Sequence, residues 1–168
     1  MSGKKRKVLY FLNDLANGGI ETFCINVNKN INRNKYNIDY FLTIGNHEYY
    51  KEKVEDLGAK VFNIKEFNIP RYIPNFCRLF YITKNLIKKS NCEVIHIHQC
   101  KGIISILLAA KINKVEIICV HSHNAFIPKI KNPIINFKIR IYSYIRKIIS
   151  NNLNTYNLGC SKDACKYM

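Results

Sequence analysis

The chain has 168 residues, 48% of them hydrophobic, and a formal net charge of +16. That is one domain of ordinary size, able to bury a core without disulfide or metal support. A surface this basic attracts phosphates, nucleic acids and anionic membranes. No helix-turn-helix, finger or RNA-binding aromatic signature accompanies the lysines, which argues against a nucleic-acid partner.

The basic segment Met1 to Lys7 leads into an apolar run broken at Asn13-Asp14 and followed by no convincing cleavage site, so it does not read as a signal peptide. The first strand is expected over about Lys7 to Leu12. After Asn13-Asp14 the chain passes Gly18-Gly19 and resumes with helical spacing, giving a first helix from Ile20 to about Asn30. Such a strand, glycine turn and helix places free backbone N–H groups and a helix dipole at the mouth of a sheet, where a phosphate fits. Two adjacent glycines are not the three-glycine dinucleotide fingerprint, so a plain tight turn remains an equal reading. Glu21 lies in the first helical turn, either facing the dipole or acting as a capping-box partner three residues after a Gly18 cap.

A second strand is expected over Tyr36 to Ile44, and a second helix over about Glu48 to Leu57 with Gly58 as its C-terminal cap. Ala59 to Ile64 is a short third strand, and Asn68 to Pro74 a proline-punctuated loop. A third helix runs from about Asn75 to Lys89, a fourth strand from Glu93 to His98, and a fourth helix from about Gly102 to Ile112. Val115 to Val120 is an apolar fifth strand of the kind buried on both faces. After a loop from His121 to Lys131, Asn132-Pro133 caps a fifth helix reaching about Ser150. Asn154 to Gly159 is a sixth strand, and Ser161 caps a final helix in which the sequence ends, as a truncated unit would.

Strands alternating with helices six times predict an α/β doubly wound parallel six-stranded sheet of Rossmann-like type, in the order 3-2-1-4-5-6. Ligands in such a sheet lie outside the carboxyl ends of the strands, where strand order reverses. Asn13 to Glu21 and His96 to Cys100 are at that point.

Seven scattered cysteines, with no Cys-x-x-Cys pair, read as reduced thiols of a cytoplasmic protein. No stretch approaches the ~18 uninterrupted apolar residues of a membrane span, so membrane contact would be peripheral. The fifth helix mixes isoleucine and aromatic residues with cations. It can be a crossover helix with a solvated basic flank, or lie on the inner face of an anionic membrane.

His96 and His98 share one strand face because they are two apart, and the same spacing recurs in His121-Ser122-His123-Asn124. Four of the five histidines therefore gather at one rim if the fourth and fifth strands are neighbours. Three readings stand: imidazoles that serve only the fold, a zinc site needing three or four of them at about 2.0–2.1 Å, and contact with a ligand across a crevice.

Gly18-Gly19-Ile20-Glu21, Glu93-Val94-Ile95-His96-Ile97-His98, His121-Ser122-His123-Asn124 and Leu158-Gly159-Cys160-Ser161-Lys162 together resemble the N-terminal domain of retaining glycosyltransferases of family 4, and a polysaccharide-synthesis subgroup among them. The resemblance implies that residues 1–168 are the N-terminal, acceptor-side half of a GT-B fold, lacking the C-terminal donor-binding domain, and so not expected to turn over alone. It implies a nucleotide-sugar donor as co-substrate, a glycan or lipid-linked acceptor, a donor-binding partner domain, and no metal or other cofactor. In it, His121 is the catalytic residue that touches the transferred sugar, and Gly18, Gly19, Glu21, His98, His123 and Asn124 bind substrate. The alternatives are a non-catalytic acceptor- or membrane-binding subunit of a two-part transferase, or a non-functional fragment.

Overall fold

The computed structural model describes residues 4–70, 72–98, 100–123, 131–153 and 155–167. Its strands are β1 (Arg6–Leu12), β2 (Tyr36–Leu42), β3 (Val61–Asn63), β4 (Val94–His98), β5 (Ile117–Ser122) and β6 (Tyr156–Gly159). Its α-helices are α1 (Gly19–Asn30), α2 (Lys51–Asp56), α3 (Asn75–Ser90), α4 (Ile103–Ile112), α5 (Pro133–Leu153) and α6 (Lys162–Tyr167). All neighbouring strands pair in parallel in the order β3-β2-β1-β4-β5-β6. The doubly wound, Rossmann-like sheet expected from the alternation of elements is therefore present, with β1 inside it and the reversal of strand order between β1 and β4.

Two cores follow from the period of two along each strand. Leu9 and Phe11 of β1 and Ile95 and Ile97 of β4 face α3 and α4, in a cluster with Leu79, Ile82, Ile106 and Leu107. Val8, Tyr10 and Leu12 face the other way, against Cys24 and Ile25 of α1 and Val54 of α2. The same parity sends His96, His98 and His121 to the α1 side, opposite the aliphatic residues that alternate with them.

The expected caps are in place. Asn132 Oδ1 accepts from Ile134 N at 3.0 Å and Ile135 N at 3.2 Å, and Ser161 Oγ from Ala164 N at 3.1 Å. Gly58 closes α2 with φ of 79°. The bounds differ at several ends. The fifth strand continues through His121 to Ser122, because Cys160 N donates to Ser122 O at 3.2 Å and β6 pairs alongside it. The second helix is confined to Lys51–Asp56, and a single 3-10 turn, Ile64–Glu66, follows β3, with the Asn63 side chain accepting from Lys65 N at 3.0 Å.

Helix α5 packs on α4, yet of its described residues only Ser150 is buried. Ile134, Phe137 and Tyr144 are each about two-thirds exposed, at 66%, 65% and 67%. Among the described residues no helix is long and apolar enough to cross a membrane.

Candidate functional site

The loop between β1 and α1 is held in place by its neighbours at the switch point. Asn13 Oδ1 accepts the Lys101 N–H at 2.9 Å and the Thr43 hydroxyl at 3.2 Å, while the Asn13 carbonyl accepts from Ile44 N at 2.9 Å and Gly45 N at 3.0 Å. One asparagine thus joins the loops that follow β1, β2 and β4. Asp14 Oδ1 accepts from His47 N at 3.2 Å, and the Tyr50 hydroxyl donates to Asn17 Oδ1 at 2.7 Å.

The two glycines of this loop differ in role. Gly18 is the N-cap of α1 in extended conformation, and a side chain there would run into the Glu21 carboxylate, which folds back over it. Apart from its chain neighbours and its own helix backbone, Gly19 has no described atom within 4 Å of where a Cβ would be, so its backbone is open at the start of a helix.

Four imidazoles form one stacked group on the same sheet face as α1. His98 and His121 are register partners across β4 and β5. Ring centroids are 4.0 Å apart for His96 and His98, 4.2 Å for His121 and His123, and 5.2 Å for His98 and His121. Tyr10 of β1 lies beneath, 5.1 Å from His96 and 4.9 Å from His98. Phe23 of α1 lies above, at 6.1 Å from His98, 5.5 Å from His121 and 6.0 Å from His123.

Burial is graded through the group. His98 is only 1% exposed and His121 9%, whereas His123 is half-buried. A ligand entering from the rim therefore meets His123 and the edge of His121 first. His98, expected to touch substrate, sits behind them, its Nδ1 in a 3.1 Å hydrogen bond with His123 Nε2. One ring of that pair donates its N–H and the other accepts with its lone pair. Asn124 lies outside the described residues.

Burial holds all four imidazoles neutral at neutral pH. Desolvation, helped by His121 and His123, pushes His96 down to about 3. Desolvation and the three other histidines push His98 lower still. Desolvation also lowers His121, and with His121 brings His123 down to about 4. Three ring nitrogens, His96 Nε2, His98 Nε2 and His121 Nδ1, are buried with no hydrogen-bond partner among the described residues. Nitrogens of the same three residues lie within 4.8 Å of one another. They can bond water or a ligand hydroxyl. A zinc ion would require all three to close to about 2.0–2.1 Å of a common point.

Two residues that shape the site have roles the sequence does not spell out. Phe23 belongs to the apolar triplet Phe23-Cys24-Ile25, in which Cys24 and Ile25 are buried and Phe23 is 42% exposed. Three consecutive apolar residues exceed one helical stripe, and that excess is the signal in the sequence. Asn13 is placed at the switch point by the strand order, but its part in joining three loops is not marked in the sequence.

No family profile matches the chain. It is 27% identical over 174 residues to "Putative glycosyltransferase EpsF" of Bacillus subtilis (strain 168), an alignment covering 100% of this chain and 42% of that protein. In fold it is similar to S. aureus MnaA, solved with UDP, at a TM-score of 0.62 and 13% identity, covering 98% of this chain and 41% of the other. MurG of Acinetobacter baumannii superposes at 0.59 with 10% identity, covering 92% and 41%. UDP-GlcNAc 2-epimerase of Neisseria meningitidis, solved bound to UDP-GlcNAc, superposes at 0.56 with 7% identity, covering 98% and 42%. The chain thus spans about two-fifths of the length of each, and the fold it shares with the solved structures is that of one GT-B half.

Proposed function

We propose that this chain is the N-terminal, acceptor-side half of a glycosyltransferase that moves a sugar from a nucleotide-sugar to a glycan or lipid-linked acceptor, with retention of configuration, in polysaccharide synthesis. One observation carries the reading. The Gly18-Gly19 turn and the histidine group lie at the same sheet rim, on the same face, in a chain whose whole length aligns with EpsF. The alignment in sequence favours transfer over the epimerisation named for several of the fold relatives.

In this reading the open backbone at Gly19 and the N-terminus of α1 receive the donor diphosphate, and Glu21 keeps the turn in shape. His121 is the catalytic residue. Its neutral ring donates a hydrogen bond to a hydroxyl of the transferred sugar as charge develops there. His123 contacts the sugar beside it, and His98 positions His123 through their shared hydrogen bond. The leaving diphosphate assists deprotonation of the acceptor, which attacks on the face the nucleotide leaves. Cations and helix N-termini stabilise the leaving group, so no metal is required. The donor-binding half comes from a further domain or a partner. The exposed apolar and basic residues of α5 support peripheral contact with an anionic membrane carrying the acceptor.

The test is turnover of a panel of nucleotide-sugars by this chain joined to a donor-binding half, with product stereochemistry read by NMR. Transfer with retention supports the reading. Epimerisation of the donor, or no turnover with any of the panel, contradicts it.

A further inference from the structure

On the opposite side of the sheet from the histidines, a cavity of about 530 Å³ opens between the ends of β2 and β3 and the N-termini of α3 and α4. Lys65, Arg78 and Lys101 line it, together with Thr43, Ser105 and Tyr142, and its lining holds no carboxylate among the described residues. None of the three cations makes an ion pair among the described residues. The Glu48 carboxylate is close enough to Lys65 to be stabilised by it, whereas Arg78 and Lys101 raise each other's energy unless an anion enters the space between them.

The polar groups facing the cavity are built in rather than incidental. Ser105 is 0% exposed, and its hydroxyl has no hydrogen-bond partner among the described residues. Arg78 Nε is likewise buried and without a partner among the described residues. Helices α3 and α4, of 16 and 10 residues, both begin at the cavity, and neither has a side-chain cap. The turn before α4 is fixed by Gly102 at φ of 72°, where an added side chain would meet Leu79, and by Asn13, which holds the Lys101 N–H. Two uncapped helix ends, the cations Arg78 and Lys101 and a buried hydroxyl are the parts of a receptor for a doubly charged oxyanion.

We propose that this cavity is an anion subsite that takes a phosphate or diphosphate group of a substrate, separate from the Gly19 backbone on the other face. It rests on the transferase reading only for the identity of the group's carrier. Tyr142, at the cavity edge, belongs to α5 and stands beside its exposed apolar residues, which assigns the group to a lipid-linked acceptor rather than to the donor.

The experiment is calorimetric titration of the 168-residue chain at low salt with inorganic pyrophosphate, farnesyl diphosphate and UDP. Pyrophosphate should bind saturably. Arg78→Gln and Lys101→Gln should each weaken it about tenfold, the value of one charge-assisted hydrogen bond. Lys84→Gln, on the exposed side of α3, should change it less than about twofold, as screened surface charges do. Ser105→Ala, which removes the hydroxyl with little change of volume, should weaken binding even if the arginine variant does not fold. Farnesyl diphosphate should bind more tightly than UDP and respond to the same substitutions. Equal effects of all three cation variants, or no saturable binding, would overturn the subsite. Preference for UDP would overturn its assignment to the acceptor. Because no turnover is measured, an inactive two-domain protein that still binds pyrophosphate here would contradict the transferase reading and leave the subsite standing.

Discussion

The Phe23 ring stands edge-on to the His121 imidazole, with centroids 5.5 Å apart and planes at 88°. It is the lid that joins the glycine-turn helix to the histidines, although 42% of its own surface faces solvent. Phe23→Ala should therefore cost stability modestly, by no more than about 2 kcal/mol, less than a core truncation. It should also raise the His121 pKa toward its ordinary value, since burial is what lowers it. Titration of the imidazole resonances and a melting curve check both, and Phe23→Leu should restore most of the shift.

The histidines make stability depend on pH in a definite direction. Their folded pKa values lie below the ordinary 6.5, at about 3 for His96 and about 4 for His123. Below pH 6.5 the unfolded chain therefore binds protons that the folded chain does not, and stability falls as pH falls, until the folded values are reached. Melting temperatures should decline from pH 7.5 to pH 5, and His96→Gln should flatten that decline. An unchanged slope in the variant would remove His96 from this account.

Gly18 and Gly19 should separate stability from activity. At Gly19 an added methyl meets nothing and φ is ordinary, so Gly19→Ala should raise stability by about 0.4–1 kcal/mol. In a two-domain protein the same methyl would stand where the donor diphosphate approaches, and turnover should fall. Gly18→Ala pushes on the Glu21 carboxylate and should bring no such gain in melting temperature.

Much of this arrangement is legible in the sequence, for reasons that can be named. Alternating elements and right-handed crossovers decide the sheet order, and period two along Glu93 to His98 puts His96 and His98 on one face. Which face it would be depends on the partners of Tyr10, and that is a matter of packing. The expected exit of His121 from the sheet is displaced by two residues, because the fifth strand finds a hydrogen-bonding neighbour in β6 as far as Ser122. The role of Phe23, and that of Asn13 beyond its place at the switch point, are not legible for a common reason: each acts through contacts with segments distant in sequence, His121 and Lys101. The cavity on the α3 side is assembled from five separate segments, and no single one carries a motif.

Helix α5 should hold the chain on anionic bilayers. The chain should sediment with phosphatidylglycerol vesicles and be released by salt, since its +16 charge supplies the long-range attraction. Phe137→Ser with Ile134→Ser should weaken binding at constant charge, because both residues are about two-thirds exposed, at 65% and 66%. Binding unaffected by the pair would leave only general electrostatics.

The most direct measurement is turnover by His121→Ala in the chain joined to an active donor-binding half, with melting temperatures beside it and His123→Ala for comparison. If His121 bonds the transferred sugar more strongly in the transition state, turnover should fall about 10²-fold, equivalent to roughly 2.7 kcal/mol, with the melting temperature little changed. Full turnover in His121→Ala, or a loss that tracks unfolding alone, would contradict the account and return the histidines to a purely structural role.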